Sequence, residues 1–153
     1  MNLHPEAIHI LRWLHFLAAA VGGGAAVVAL LLSGFEDGRE DLRGLAATIW
    51  ARVVSWSFRL AVVAGAILLV LLLQKGENPF IEGRYFTIKL LLVLALLGVS
   101  ESAPKALAKG KRGASLLTLV FFLAISFVVY NRALFGHAPL PAPSAAATTA
   151  PAR

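Results

Sequence analysis

The sequence predicts an all-α integral membrane protein: a four-helix bundle with short loops and a disordered C-terminal tail. Three observations predict it. The stretch Trp13 to Leu32, WLHFLAAAVGGGAAVVALLL, carries no formal charge, and at ~1.5 Å per helical residue it covers ~30 Å, the thickness of a bilayer's hydrocarbon core. Three further apolar blocks of comparable length follow it. The chain as a whole is 59% hydrophobic over its 153 residues, against ~45–50% apolar in soluble domains. In lipid an unpaired backbone group costs several kcal/mol, so each block is read as a helix whose polar groups bond to one another.

The first span covers about 8–32. Pro5 suits an opening helical turn, where its missing N–H would be unpaired anyway. Ala18, Gly22 and Ala26 recur every four residues, a stripe of small residues that lets another helix approach closely. No Lys or Arg precedes Arg12, and the apolar run is longer than the ~7–15 residues of a signal core, so it is expected to be a retained first span rather than a cleaved signal. The link Ser33 to Arg43 is polar and faces water, with helical pattern resuming near Asp41. Span two covers about 53–73, approached through a semi-amphipathic lead, Leu42 to Arg52. Trp50 and Trp56 are expected in an interfacial aromatic belt. Gln74-Lys75-Gly76 ends that helix and Asn78-Pro79 turns the chain. Span three covers about 85–103 and is expected to stop at Pro104, before a basic loop of Lys105, Lys109, Lys111 and Arg112. Span four covers about 114–135, with Gly136 as its cap. Residues 1–137 thus form one transmembrane domain, and 138–153 form a Pro/Ala-rich disordered tail.

Charge and composition narrow the function classes. There is no cysteine, which excludes disulfides, thiolate metal sites and cysteine nucleophiles. The net charge of +6 sits mostly in short loops beside apolar spans. There it meets anionic headgroups and sets topology, so the expected partner is the lipid bilayer, with no nucleic acid. Four spans place both termini on one side. The loops after spans one and three, with the start of span two, hold eight of the 14 Lys and Arg residues. The positive-inside rule then puts both termini outside, in a bacterial inner (plasma) membrane.

This topology sorts the polar groups within the spans into layers. His15 and Lys89 share the outer layer; Arg59 and Glu101 share the inner one. Charge at mid-membrane costs at least ~2.5–3.5 kcal/mol, so such groups face partners in the bundle or snorkel to the surface. Arg59 and Glu101 are expected to form a structural ion pair. His15 is read either as a cofactor ligand or as a buried histidine bonded to a neighbouring helix, since imidazole is the commonest metal and haem ligand. Lys89 is read as a partner for a propionate or other anion, or as a snorkelling lysine. His4, His9 and His137 meet only through topology, at the terminal face, where they could hold copper. Ser100-Glu101-Ser102 are adjacent and point to different sides of a helix, so no nucleophile–base set is present. Phe121, Phe122, Phe127 and Tyr130 read as packing.

The stretch ILRWLHFLAAAVGGG resembles the first span of two related bacterial membrane families: the copper resistance protein D family and the HemJ-type protoporphyrinogen IX oxidases. YFTIKLLLVLALLGVSESAPKAL similarly resembles their span that opens on a lysine. The resemblance implies a small inner-membrane protein that handles copper or haem b at its outer layer, with His15 and Lys89 on positions those families use. The oxidase-type pattern has a second histidine about three turns after the lysine. This chain has Ser100 and Glu101 there, so neither a two-histidine haem site nor an enzyme is implied. The alternative is a structural or accessory subunit of a larger membrane complex, or a homo-oligomer, without chemistry of its own. A third reading, a polar transport path through His15, Lys89, Arg59 and Glu101, lacks the inverted repeats and broken helices such paths use.

Overall fold

The computed structural model describes residues 5–34, 40–81 and 84–135. Its four rods follow the four apolar blocks, and no strand occurs among the described residues. α1 is Pro5–Gly34. α2 is one continuous rod, Glu40–Gln74. It is α-helical over Glu40–Ile49, π-helical over Trp50–Val54 and α-helical again over Ser55–Gln74. α3 is Arg84–Ala108 and α4 is Gly113–Tyr130, followed by a 3-10 turn at Arg132–Phe135. All four rods are long and apolar enough to cross a membrane, as a multi-pass membrane protein requires. The expected tail, 138–153, lies outside the described residues.

The rods run up and down in a ring, α1 against α2, α2 against α3, α3 against α4, with α4 returning to α1. Pro5, Gln74, Arg84 and Tyr130 mark one end, here the terminal end. Gly34, Glu40, Ala108 and Gly113 mark the loop end. Two helix ends close with the same device. After α2, Gly76 N–H bonds Leu73 O and Glu77 N–H bonds Leu72 O, with Gly76 at φ 80°. After α3, Gly110 N–H bonds Leu107 O and Lys111 N–H bonds Ala106 O, with Gly110 at φ 71°. Both are Schellman closures, which place a residue in the left-handed region and so favour glycine. Asn78 Oδ1 then accepts the Phe80 N–H at 3.1 Å, the side-chain bond that makes Asn a turn former.

The small-residue stripe does what its spacing implies. Ala18, Gly22 and Ala26 are buried on α1. A Cβ on Gly22 would come within 2.8 Å of the Phe58 ring, and one on Gly23 within 2.6 Å of Phe122. Glycine at both positions lets aromatic rings of α2 and α4 lie on the α1 backbone. At the loop end, Ala26, Ala29, Ala46, Trp50, Val54, Leu96, Ala103 and Leu107 form a core cluster with Phe58.

Two expectations need correction here, and they share a cause. Trp50 is not in an interfacial belt; it is fully buried, while Trp56 is 63% exposed. Nor does Pro104 stop α3, which continues through it to Ala108. Proline has no N–H to give the carbonyl four residues back, and its ring crowds that carbonyl. The carbonyl in question belongs to Ser100, and it accepts the indole N–H of Trp50 at 3.1 Å. A side chain from α2 therefore supplies the donor that proline removed, and the helix runs on. The lead into span two is drawn into the same rod because Ala46 and Trp50 are buried.

Trp50→Phe should destabilise the bundle by about 1–3 kcal/mol, the cost of a buried carbonyl left unpaired. Pro104→Ala restores a backbone donor, so the same Trp50→Phe change should cost distinctly less in that background. A double-mutant cycle of detergent unfolding, followed by circular dichroism, measures the difference. Equal costs in the two backgrounds would sever the link between Trp50 and Pro104.

A cavity at His15 and Lys89, and a charged pair below it

The half of the bundle nearer the terminal end is hollow. His15 lies ~15 Å into α1, Lys89 ~7 Å into α3, and Gly65 ~13 Å from the end of α2. All three line one cavity of about 200 Å³. Its walls are otherwise apolar and include the rings of Phe58, Phe86 and Phe122. Phe80, in the turn after α2, packs edge-on against Phe86 with ring centroids 4.9 Å apart, so the turn braces the cavity's outer wall.

The orientation of His15 follows from a backbone contact. Its Nδ1 lies 2.6 Å from Ala61 O. A carbonyl can only accept, so Nδ1 carries the proton and Nε2 keeps its lone pair. Nε2 has no hydrogen-bond partner among the described residues. The close approach depends on Gly65, one turn beyond Ala61: a Cβ there would meet His15 Cε1 at 3.0 Å and Nδ1 at 3.2 Å. Tying one imidazole nitrogen to a carbonyl is how proteins fix a ring whose other nitrogen is to act as a ligand.

Lys89 is half-buried in the same cavity. It has no ion pair and no hydrogen bond among the described residues. No acidic side chain lines the cavity. The site thus offers one cation and one nitrogen lone pair within an apolar chamber, which suits an apolar molecule with an oxygen-bearing edge. Its polar groups are one imidazole nitrogen and one lysine amine. Its volume is below the ~300–1,000 Å³ usual for ligand pockets, so it would receive the edge of a large ligand rather than enclose one.

The structure brings Arg59 and Glu101 together. Arg59 NH2 reaches Oε1 and Oε2 of Glu101 at 2.8 Å each, and Arg59 Nε reaches Oε1 at 3.1 Å. Trp56 lies under the guanidinium, 5.3 Å from ring centroid to carbon. The pair sits ~10 Å from the end of α3, on the outer face of the bundle, with each side chain about half exposed. His9 is exposed on α1, and His4 and His137 lie outside the described residues. No group of three His, Cys, Asp or Glu that could hold a metal occurs among the described residues.

Sequence reading selected His15 and Lys89 but missed the residues that orient His15. Ala61 acts through its carbonyl and Gly65 through a missing side chain. The trace of them in the sequence is a group of small residues, Ala61, Ala64, Gly65 and Ala66, ahead of a Leu-rich end to the span. No family model matches the chain, and no curated protein and no solved structure matches it.

Gly65→Ala should push the His15 ring off Ala61 O. In a helix this substitution ordinarily gains up to about 1 kcal/mol; here the gain should vanish, and ¹⁵N spectra of labelled histidine should show loss of the fixed Nδ1–H form. Charge reversal of Arg59 or Glu101 alone should lower the yield of folded protein, and the double swap should restore it.

Proposed function

We propose that this is a small multi-pass membrane protein that binds one apolar ligand with an oxygen-bearing edge in the cavity among its four rods. The observation that carries the reading is the state of His15: one nitrogen tied to Ala61 O at 2.6 Å, the other unpartnered beside an unpaired Lys89. Haem is the candidate that the resemblance brings. His15 Nε2 would hold the iron and Lys89 a carboxylate edge, and the iron would supply one-electron or gas-binding chemistry. No second histidine lines the cavity, which fits a carrier or sensor better than a two-histidine electron-transfer centre. Copper handling at His4, His9 and His137 has no support among the described residues.

Purified protein titrated with hemin in mild detergent should develop a saturable Soret shift at one equivalent. His15→Ala should abolish it, and Lys89→Ala should weaken binding by about tenfold, the scale of one charge-assisted hydrogen bond. A wild-type spectrum indistinguishable from hemin in empty micelles would remove haem from the reading.

An accessory-subunit role is favoured by one feature, the half-exposed Arg59–Glu101 pair on the outer face of an apolar span. A charged pair there gains if another helix covers it. Stoichiometric co-purification of a partner that is lost on reversing both charges distinguishes this reading from the first.

A further inference from the structure

We propose that the cavity takes a free fatty acid from the bilayer, with the carboxyl head at His15 and Lys89 and the acyl chain leaving the bundle between α2 and α3. This inference rests on the reading that the cavity binds an apolar ligand by an oxygen-bearing edge, and it names the class of that ligand.

Two side chains define the head. His15 Nδ1 donates to Ala61 O at 2.6 Å, so Nε2 can only accept a hydrogen bond. Lys89 can only donate, and it has no acceptor among the described residues. Both line the same cavity of about 200 Å³. The matching group must therefore give one proton and accept another. A carboxylic acid does both from one planar head: its O–H suits Nε2 and its carbonyl oxygen suits the Lys89 amine. A ketone, an ester or a quinone has no proton for Nε2. A phosphodiester matches the lysine's charge but holds no proton. An alcohol or a quinol makes both bonds but leaves that charge unmatched, and no acidic side chain lines the cavity. A carboxyl group, with its proton drawn toward Nε2, carries the negative charge that Lys89 lacks. Such charge-assisted bonds are about twice as strong as neutral ones, and unmatched charge within a span is costly.

The walls define the chain. Of the residues lining the cavity, all are buried or half-buried except Ala66 on α2 and Leu90 on α3. These two belong at once to the cavity wall and to the outer faces of their rods, beside the exposed Ile67 and Leu91. The two rods are neighbours in the ring. The chamber thus reaches the lipid-facing surface at the seam between α2 and α3, with only a methyl group on the Ala66 side. A long acyl chain exceeds the chamber's volume, and through this seam its far end stays among the chains of the bilayer.

The test titrates the full chain in mild detergent with palmitic acid, hexadecanol and hexanoic acid. Native mass spectrometry counts what is retained, and ¹⁵N spectra of labelled histidine read the ring. Wild type should retain one palmitic acid, whose binding shifts the His15 Nε2 resonance while the Nδ1–H form persists. Hexadecanol and hexanoic acid should each bind at least about tenfold more weakly. Lys89→Gln should lower palmitic acid retention about tenfold, and His15→Ala should remove the shift. Ala66→Phe, at an exposed position, should lower palmitic acid retention about tenfold by narrowing the seam. Hexadecanol bound as tightly as palmitic acid overturns the head assignment, and hexanoic acid bound as tightly overturns the chain assignment. Undiminished retention in Ala66→Phe overturns the exit. If hemin or hexadecanol shifts the His15 resonance and palmitic acid does not, this inference falls and the cavity reading stands; if none of the probes shifts it, both fall. The comparison of acid with alcohol is made on wild type and holds whether or not the variants fold.

Discussion

One hydrogen bond between two rods holds the loop half of the molecule in register: the Trp50 indole on the Ser100 carbonyl. In lipid a carbonyl without a donor has no water to turn to. Pro104 creates such a carbonyl inside α3, and the only economical donor is one delivered from a neighbouring rod. That requirement fixes the azimuth of α2 against α3 and brings Trp50 into the core. Nine residues further along α2 and one residue along α3, the same alignment sets Arg59 against Glu101. The core cluster around Trp50 includes Ala26, Ala29, Ala46 and Ala103, whose small side chains leave room for an indole between helices.

The two halves of the bundle are built for different tasks. Around Trp50 the rods are close and the interior is filled. Toward the terminal end the same four rods leave a chamber, with His15 hung from the backbone of α2 and Lys89 without an acceptor among the described residues. Buried ionisable groups inside a membrane are expensive and mark functional positions. The filled half fastens the helices, and the open half presents two polar groups to one chamber.

Much of this was legible in the residues. The four rods followed from runs of apolar side chains whose length matches a bilayer, and the ending of α2 followed from Lys75-Gly76 and Asn78-Pro79. The meeting of Arg59 with Glu101, and the sharing of one layer by His15 and Lys89, could be argued from depth alone. What could not be read were contacts made by atoms that every residue carries. The carbonyl of Ala61 and the space at Gly65 leave no chemical signature in a sequence. Trp50 and Pro104 were misread for the same reason: taken singly, a tryptophan near a helix end suggests an interface and a proline suggests a stop. Only their juxtaposition across two rods turns one into the remedy for the other.

The π-helical turn at Trp50–Val54 sits where these two halves join. Its looser winding takes up one residue more than an α-helix would over the same rise. Ala46, Trp50, Val54 and Phe58 are all buried, four apart, a spacing that in uninterrupted α-helix would drift steadily around the rod. The turn resets that drift. It acts as a splice between a segment that fastens the bundle and a segment that walls the chamber, so that changes in one need not rotate the other. A lineage of such proteins could therefore remodel its chamber while the fastening stays as it is.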